Sequence, residues 1–204
     1  MGPTCMKDHN HSLTAAQISD RLTFLKDAAR LKDVLRSSFT REGRPESTAE
    51  HSWSLCLMVL CFADRMEGID LLKLLRICII HDLGEALNGD IPAIAQDAAG
   101  DKSARERADL DTIMRPLPPA LRAEFLALWD EYENAATPEA RLAKAFDKLE
   151  TITQHNAGRN PPGFNYDFNL SYGRTYTECS DLTKAIRRIV DDATRGNINR
   201  DTGC

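Results

Sequence analysis

The chain lacks any apolar run long enough to cross a bilayer: its longest, Ser54 to Ala63, falls well short of a spanning segment. It has six cysteines but no CxxC or other paired spacing. Cys56, Cys61 and Cys78 lie in apolar helical runs, and Cys5 and Cys204 lie near the two ends. That distribution excludes a disulfide scaffold or a thiolate zinc staple and predicts reduced thiols. Met1 to Ser12 is polar and has no secretory h-region, so a cytoplasmic setting is expected, with neither membrane nor nucleic acid as partner. Lysine and arginine are scattered, not striped, and the formal net charge is −5, which argues against a nucleic-acid groove. No convincing strand, internal repeat or low-complexity tract is visible. From Leu83 to Phe146 there is no histidine.

What is present is helix. With 204 residues, 42% of them hydrophobic and 28% charged, the chain can bury a full core, and an all-α single domain is expected. Thr14 with Gln17 is a capping-box pattern, and Ile18, Leu22, Leu25, Ala29 and Val34 carry a helical period to about Arg36. Ser37 to Pro45 reads as a loop. Ser47 with Glu50 is a second capping box, opening a helix to about Met66 whose stretch Leu55 to Phe62 is apolar all round, as in an interior helix. Asp70 caps a mostly interior helix that ends near His81-Asp82. Leu83 to Pro92 predicts an irregular turn with a short helix, followed by a mobile stretch to Asp101. Further helices are expected over 102–114, 119–133 and 138–156, with prolines as start signals. Gly158 to Gly173 reads as a long loop, and Cys179 to Thr194 as a closing helix with Ile186, Ile189 and Val190 as its buried stripe. The domain is expected over 13–195, between an N-terminal arm (1–12) and a short tail (196–204).

The chemistry concentrates in four residues: His51, the pair His81-Asp82, and Asp147. Two imidazoles and two carboxylates, each in or beside an apolar helical stretch, are a donor set for a divalent ion. Mn, Fe, Co, Ni, Zn and Mg stay open as its identity. Taken singly, each residue has an ordinary structural explanation. The pair closing a buried helix changes the balance, because an ionised and unpaired Asp82 there would cost several kcal/mol that a metal removes. Glu85 lies one turn beyond Asp82, and Asp90 sits in Asn88-Gly89-Asp90-Ile91-Pro92. Both are candidates for proton transfer or for positioning water.

Glu50-His51-Ser52, His81-Asp82-Leu83-Gly84-Glu85, Gly89-Asp90-Ile91 and Asp147 together resemble the HD-domain metal-dependent phosphohydrolases, in the branch of 5′-deoxynucleotidases. The resemblance covers roughly Phe24 to Ile152 and includes the run Leu31 to Arg36 and the Arg44-Pro45-Glu46-Ser47 lead into the histidine helix. It implies an HD-domain helical bundle that hydrolyses the 5′-phosphate of deoxyribonucleoside monophosphates. It implies that His51, His81, Asp82 and Asp147 hold the metal, that Glu85 and Asp90 are the acids beside the reacting phosphate, and that Arg36 contacts substrate. Some relatives use Glu85, Asp90 and the Ile91 carbonyl for a second ion. Relatives often carry a tryptophan just after the matching arginine. Here Ser37, Ser38 and Phe39 follow, and Phe39 is the candidate for the aromatic contact.

Rival readings are an HD phosphohydrolase acting on another nucleotide or phosphoester, and a non-catalytic metal- or nucleotide-binding domain. The histidine-free span from Leu83 to Phe146 disfavours oxygenase and two-metal phosphodiesterase chemistry, which use extra histidines there. A homodimer is expected from the resemblance, with Trp53, Trp129 and Phe125 as the candidate exposed patch.

Overall fold

In the computed structural model, residues 12–89 and 102–201 are described. Their order is α1 (Ala15–Ala28), a 3-10 turn (Ala29–Lys32), β1 (Leu35–Phe39), β2 (Pro45–Ser47), α2 (Thr48–Cys61), α3 (Leu71–Ile80), α4 (Glu85–Asn88) and α5 (Lys102–Ile113). Then follow α6 (Pro119–Glu133), α7 (Pro138–Ala157), α8 (Asp167–Ser171), α9 (Arg174–Thr177) and α10 (Asp181–Asp201).

Local sequence sets most of these boundaries. Both capping boxes form: Thr14 and Gln17 exchange hydrogen bonds at the start of α1, and Ser47 and Glu50 do so at the start of α2. The Asp70 side chain accepts from the Lys73 amide to open α3. At α7 the proline stands in the first turn, and Thr137 accepts from the Ala140 amide.

Helix α7 is the axis of the molecule, touching α2, α3, α6, α9, α10 and β1. Its apolar side meets Leu55 and Val59 of α2, Leu74 and Ile77 of α3, and Trp129 of α6 in one core with Phe146. Its polar side is buried too: Lys144, Asp147, Thr151 and His155, at spacings of three and four, form one longitudinal stripe. A helix this polar and this buried must have its side chains partnered, so the site lies along that stripe.

Several expectations are corrected. The helical period read to Arg36 stops at Lys32, and the chain enters a two-stranded antiparallel hairpin, so the protein is mostly α with one small sheet. The hairpin was hidden because β1 and β2 are short and the register between Leu35 and Phe39 is irregular. Helix α2 ends at Cys61, followed by a 3-10 turn at Ala63–Arg65. It is interior on one face only: Leu55 and Val59 are buried while Trp53, Leu57 and Leu60 are exposed. Leu72 and Ile79 of α3 are also exposed. The stretch read as a loop to Gly173 contains α8, and α10 continues past Thr194 to Asp201. Ile189 is 72% exposed and so is not part of the buried stripe. Trp129 is a core residue at 2% exposure and Phe125 packs against that core, which leaves Trp53, 67% exposed, as the surface aromatic of the three. The stretch expected to be mobile up to Asp101 lies outside the described residues.

Candidate metal centre

Four elements bring the candidate residues together. Arg36 sits on β1, and His51 occupies the first turn of α2, whose start is fixed by the Ser47–Glu50 box. His81 follows the last residue of α3, and the chain turns through Asp82 into α4, which opens with Glu85. A Cβ on Gly84 would collide with the Glu106 carbonyl, so only glycine lets this turn lie flat against α5. Asp147 comes from the middle of α7.

One atom each from His51, His81 and Asp82 lie within 4.8 Å of one another. Asp82 Oδ2 is 3.1 Å from His81 Nε2 and 3.7 Å from His51 Nε2. Asp147 lies outside that tightest group but reaches it through His51, with Oδ1 3.3 Å from His51 Nε2. Both rings have their other nitrogen fixed. His81 Nδ1 is 2.8 Å from the Cys78 carbonyl, and His51 Nδ1 is 2.5 Å from Glu150 Oε2. A carbonyl or carboxylate only accepts, so each Nδ1 carries a proton, and each Nε2 is the nitrogen left facing inward.

His51 Nε2, His81 Nε2 and Asp82 Oδ2 are buried and make no aligned hydrogen bond. Three such atoms facing each other would each cost about 1–3 kcal/mol if left so. A divalent cation satisfies all three, and two neutral imidazoles with carboxylate oxygens and no thiolate suit Mn, Fe, Co, Ni or Zn. The residues therefore fit such an ion.

The electrostatics agree. Burial would raise the Asp82 carboxyl, but His81, His51 and Arg36 hold it below the usual carboxylate range. Burial would also raise Asp147, and Lys148, His51 and His81 hold it well below that range. Burial and Arg36 push His51 down, yet Glu150 and Asp147 outweigh them and hold it up to about 9. These carboxylates keep a proton on His51 at neutral pH, which a metal ion at Nε2 would displace. Asp147 Oδ2 accepts from Tyr132 Oη at 2.6 Å and lies 2.9 Å from Lys148 Nζ, which leaves Oδ1 on the side of the histidines. The Tyr132 hydroxyl, raised well above its ordinary value by burial and Asp147, stays a donor.

A second acidic group, Glu46, His51 and Glu150, also satisfies the spacing for a metal. Its chemistry differs. His51 Nδ1 is already bonded to Glu150, and burial together with Glu150 pushes the Glu46 carboxyl up to about 7. This group orients His51 from behind.

A cavity of about 650 Å³ opens onto the centre and is lined by Arg36, His81, Asp82, Glu85, Tyr132, Asp147, Lys148 and Thr151, among others. Arg36 lies 3.6 Å from Asp82 Oδ2 and donates to Thr151 Oγ1 at 3.2 Å. Glu85 is buried, accepts from Thr48 Oγ1 at 3.3 Å and lies 3.8 Å from Lys102 Nζ. Asp90 and Ile91 lie outside the described residues. Phe39, the expected aromatic contact, is not among the cavity-lining residues; its carbonyl accepts from Gln154 Nε2 at 2.6 Å. Glu150, Tyr132, Lys148 and Glu46 act at this centre without a functional role having been assigned to them from the sequence. Position on α7 beside Asp147 could have flagged Lys148 and Glu150. Nothing local points to Tyr132, whose partner is reached through tertiary packing.

The fold and this centre define a class. The HD domain family matches residues 28–187, and the chain belongs to that family. It is similar to the 5′-deoxynucleotidase HDDC2 of Xenopus laevis, 32% identical over 172 residues that span 81% of this chain and 85% of that protein. The protein of the same name from Dictyostelium discoideum is 33% identical, over 67% of this chain and 76% of its own length. Among solved structures it resembles one from Magnetospirillum magnetotacticum MS-1, described as a predicted metal-dependent phosphohydrolase. That match has a TM-score of 0.73 and 30% identity, and covers 88% of this chain and 94% of the other.

Proposed function

We propose that this chain is a metal-dependent phosphohydrolase that releases phosphate from deoxyribonucleoside 5′-monophosphates, with His51, His81, Asp82 and Asp147 as the metal ligands. The observation that carries the reading is the convergence of three buried atoms without an aligned hydrogen bond, from His51, His81 and Asp82, beside a cavity that His81 and Asp82 line together with an arginine and a buried glutamate. The activity of the HDDC2 relatives supports the substrate class.

When bound, a divalent ion supplies charge neutralisation for the phosphoryl group and makes nearby water more acidic. Phosphate monoesters are among the slowest bonds to hydrolyse unaided, with enzymes supplying up to ~10²¹-fold, so such a charge is close to obligatory. Arg36, beside Asp82, donates its guanidinium fork to phosphate oxygens, a geometry lysine does not reproduce. Glu85 orients the attacking water and takes its proton, held in place by Thr48. Asp90 assists the leaving alkoxide or the sugar.

Asp82→Ala or His81→Ala abolishes metal binding in isothermal titration. Glu85→Ala retains metal and loses turnover in a phosphate-release assay over ribo- and deoxynucleoside monophosphates with Mn, Co, Mg and Zn. Unchanged hydrolysis by Glu85→Ala removes the role given to that carboxylate.

The protein works as a homodimer in the cytoplasm in this proposal. Trp53, Leu57 and Leu60, at helical spacing on the exposed face of α2, support a contact with a second copy. Free Cys56, Cys61, Cys78 and Cys179 fit a reducing compartment. No helix among the described residues is long and apolar enough to cross a membrane. Sedimentation of the wild type as a dimer and of Trp53→Glu as a monomer is expected; a monomeric wild type contradicts it.

A further inference from the structure

Aromatic residues recur at every fourth position beyond α7: Phe164, Phe168, Tyr172 and Tyr176. Phe168 lies in α8, Tyr172 caps its end and Tyr176 lies in α9, while Phe164 precedes them in the turn before α8. All four residues line the same cavity as His81, Asp82 and Asp147. The metal centre and this aromatic wall therefore face one chamber.

The wall is built, not loosely draped. The Phe164 ring stands edge-on to His155 with centroids 5.0 Å apart, and Phe168 lies 4.9 Å from Tyr172. Behind them the buried Arg187 of α10 donates to the carbonyls of Tyr172 (2.6 Å), Asn169 (2.7 Å) and Leu170 (3.0 Å), with Asp191 accepting from its Nε at 2.7 Å. At Gly173, with φ +65°, any Cβ would lie 2.5 Å from Lys148 Cγ, so the backbone of the wall is pressed onto α7. Lys148 Nζ lies 5.2 Å from the Tyr172 ring centre and Lys144 Nζ 5.4 Å from that of Tyr176. Among the described residues no such cation sits on Phe164 or Phe168, both half-buried.

We infer that Phe164 and Phe168 are the stacking platform for the nucleobase of the substrate. The inference rests on the phosphohydrolase reading for the position of the phosphate: with phosphate at the histidine and aspartate end, the nucleoside must extend within the same chamber. Its volume of about 650 Å³ lies within the ordinary range for a site that encloses a small ligand. The side formed by Glu85, Lys102, Ser103 and Glu106 is polar and charged, whereas the aromatic side offers flat apolar faces to a flat heterocycle.

The test is isothermal titration of the full chain with 2′-deoxyadenosine, which has no phosphate to hydrolyse, run beside phosphate release from dAMP. Phe168→Leu keeps apolar bulk but removes the ring, and Phe168→Tyr keeps the ring. Deoxyadenosine binds the wild type, Phe168→Leu weakens it by roughly 10- to 100-fold, and Phe168→Tyr restores it. Wild type and Phe168→Leu binding the nucleoside equally, or no nucleoside binding by the wild type, overturns the inference. A Phe168→Tyr that fails like Phe168→Leu, despite an unchanged melting temperature, overturns it as well. A protein that binds deoxyadenosine through Phe168 yet releases no phosphate from dAMP refutes the hydrolase reading and leaves the base subsite standing.

Discussion

Asp147 divides its two oxygens between tasks. One accepts from Tyr132 and faces Lys148; the other faces the histidines. The same economy holds at His51, whose Nδ1 is taken by Glu150 while Nε2 points inward. Glu150 is thus a positioning residue: it fixes the tautomer and orientation of His51 without reaching the cavity. Glu150→Gln should weaken metal affinity by roughly 10- to 100-fold in a competition titration while leaving the far-ultraviolet circular dichroism unchanged. Unaltered affinity would remove that role. The candidate residues were legible because the sequence states their chemistry outright: a histidine one residue past a capping box, and a histidine–aspartate pair at the end of an apolar helix. Glu150 and Tyr132 were not, since their meaning lies in who faces them. His51 and Glu150 are 99 positions apart in the chain.

Elements with local punctuation were readable in advance. Capping boxes at Thr14 and Ser47, the Asp70 cap, and Pro119 and Pro138 in first turns mark helix starts that the structure bears out. The hairpin and the turns α8 and α9 were not readable, because they are short and hold their shape through tertiary contacts: the Thr48 amide donates to the Val34 carbonyl, and Arg187 gathers the carbonyls of Asn169, Leu170 and Tyr172. Two predictions belong at this scale. Ser47→Ala removes the cap that sets the start of α2 and should cost about 1 kcal/mol in denaturant unfolding, with a further loss in metal affinity because His51 shifts with the helix. Gly173→Ala meets both a positive φ and the Lys148 side chain, and should lower the melting temperature. A Gly173→Ala protein as stable as the wild type would show that the wall rests on α7 less tightly than its geometry indicates.

At the scale of the whole molecule, the expectation of a single helical domain holds, with a two-stranded hairpin added where Arg36 enters the site. Burying carboxylates around the cavity has a consequence for stability. Burial pushes the Glu106 carboxyl from 4.5 up to about 7, with Lys102 opposing and Asp82 adding to the rise. A folded-state value above the unfolded one means that the folded chain holds the proton more tightly. The stabilisation is fully present below 4.5 and is lost as pH rises through about 7. Glu106→Gln, which cannot ionise, should flatten that decline in melting temperature across the same interval. A wild type whose stability rises with pH there, equally in the variant, would contradict this.

If His51, His81, Asp82 and Asp147 share one cation, anomalous diffraction from a crystal grown with Mn²⁺ will locate it. One strong peak is expected, within roughly 2.0–2.3 Å of His51 Nε2, His81 Nε2, Asp82 Oδ2 and Asp147 Oδ1. No peak there, or a peak between Glu46 and Glu150 on the Nδ1 side of His51, would contradict it.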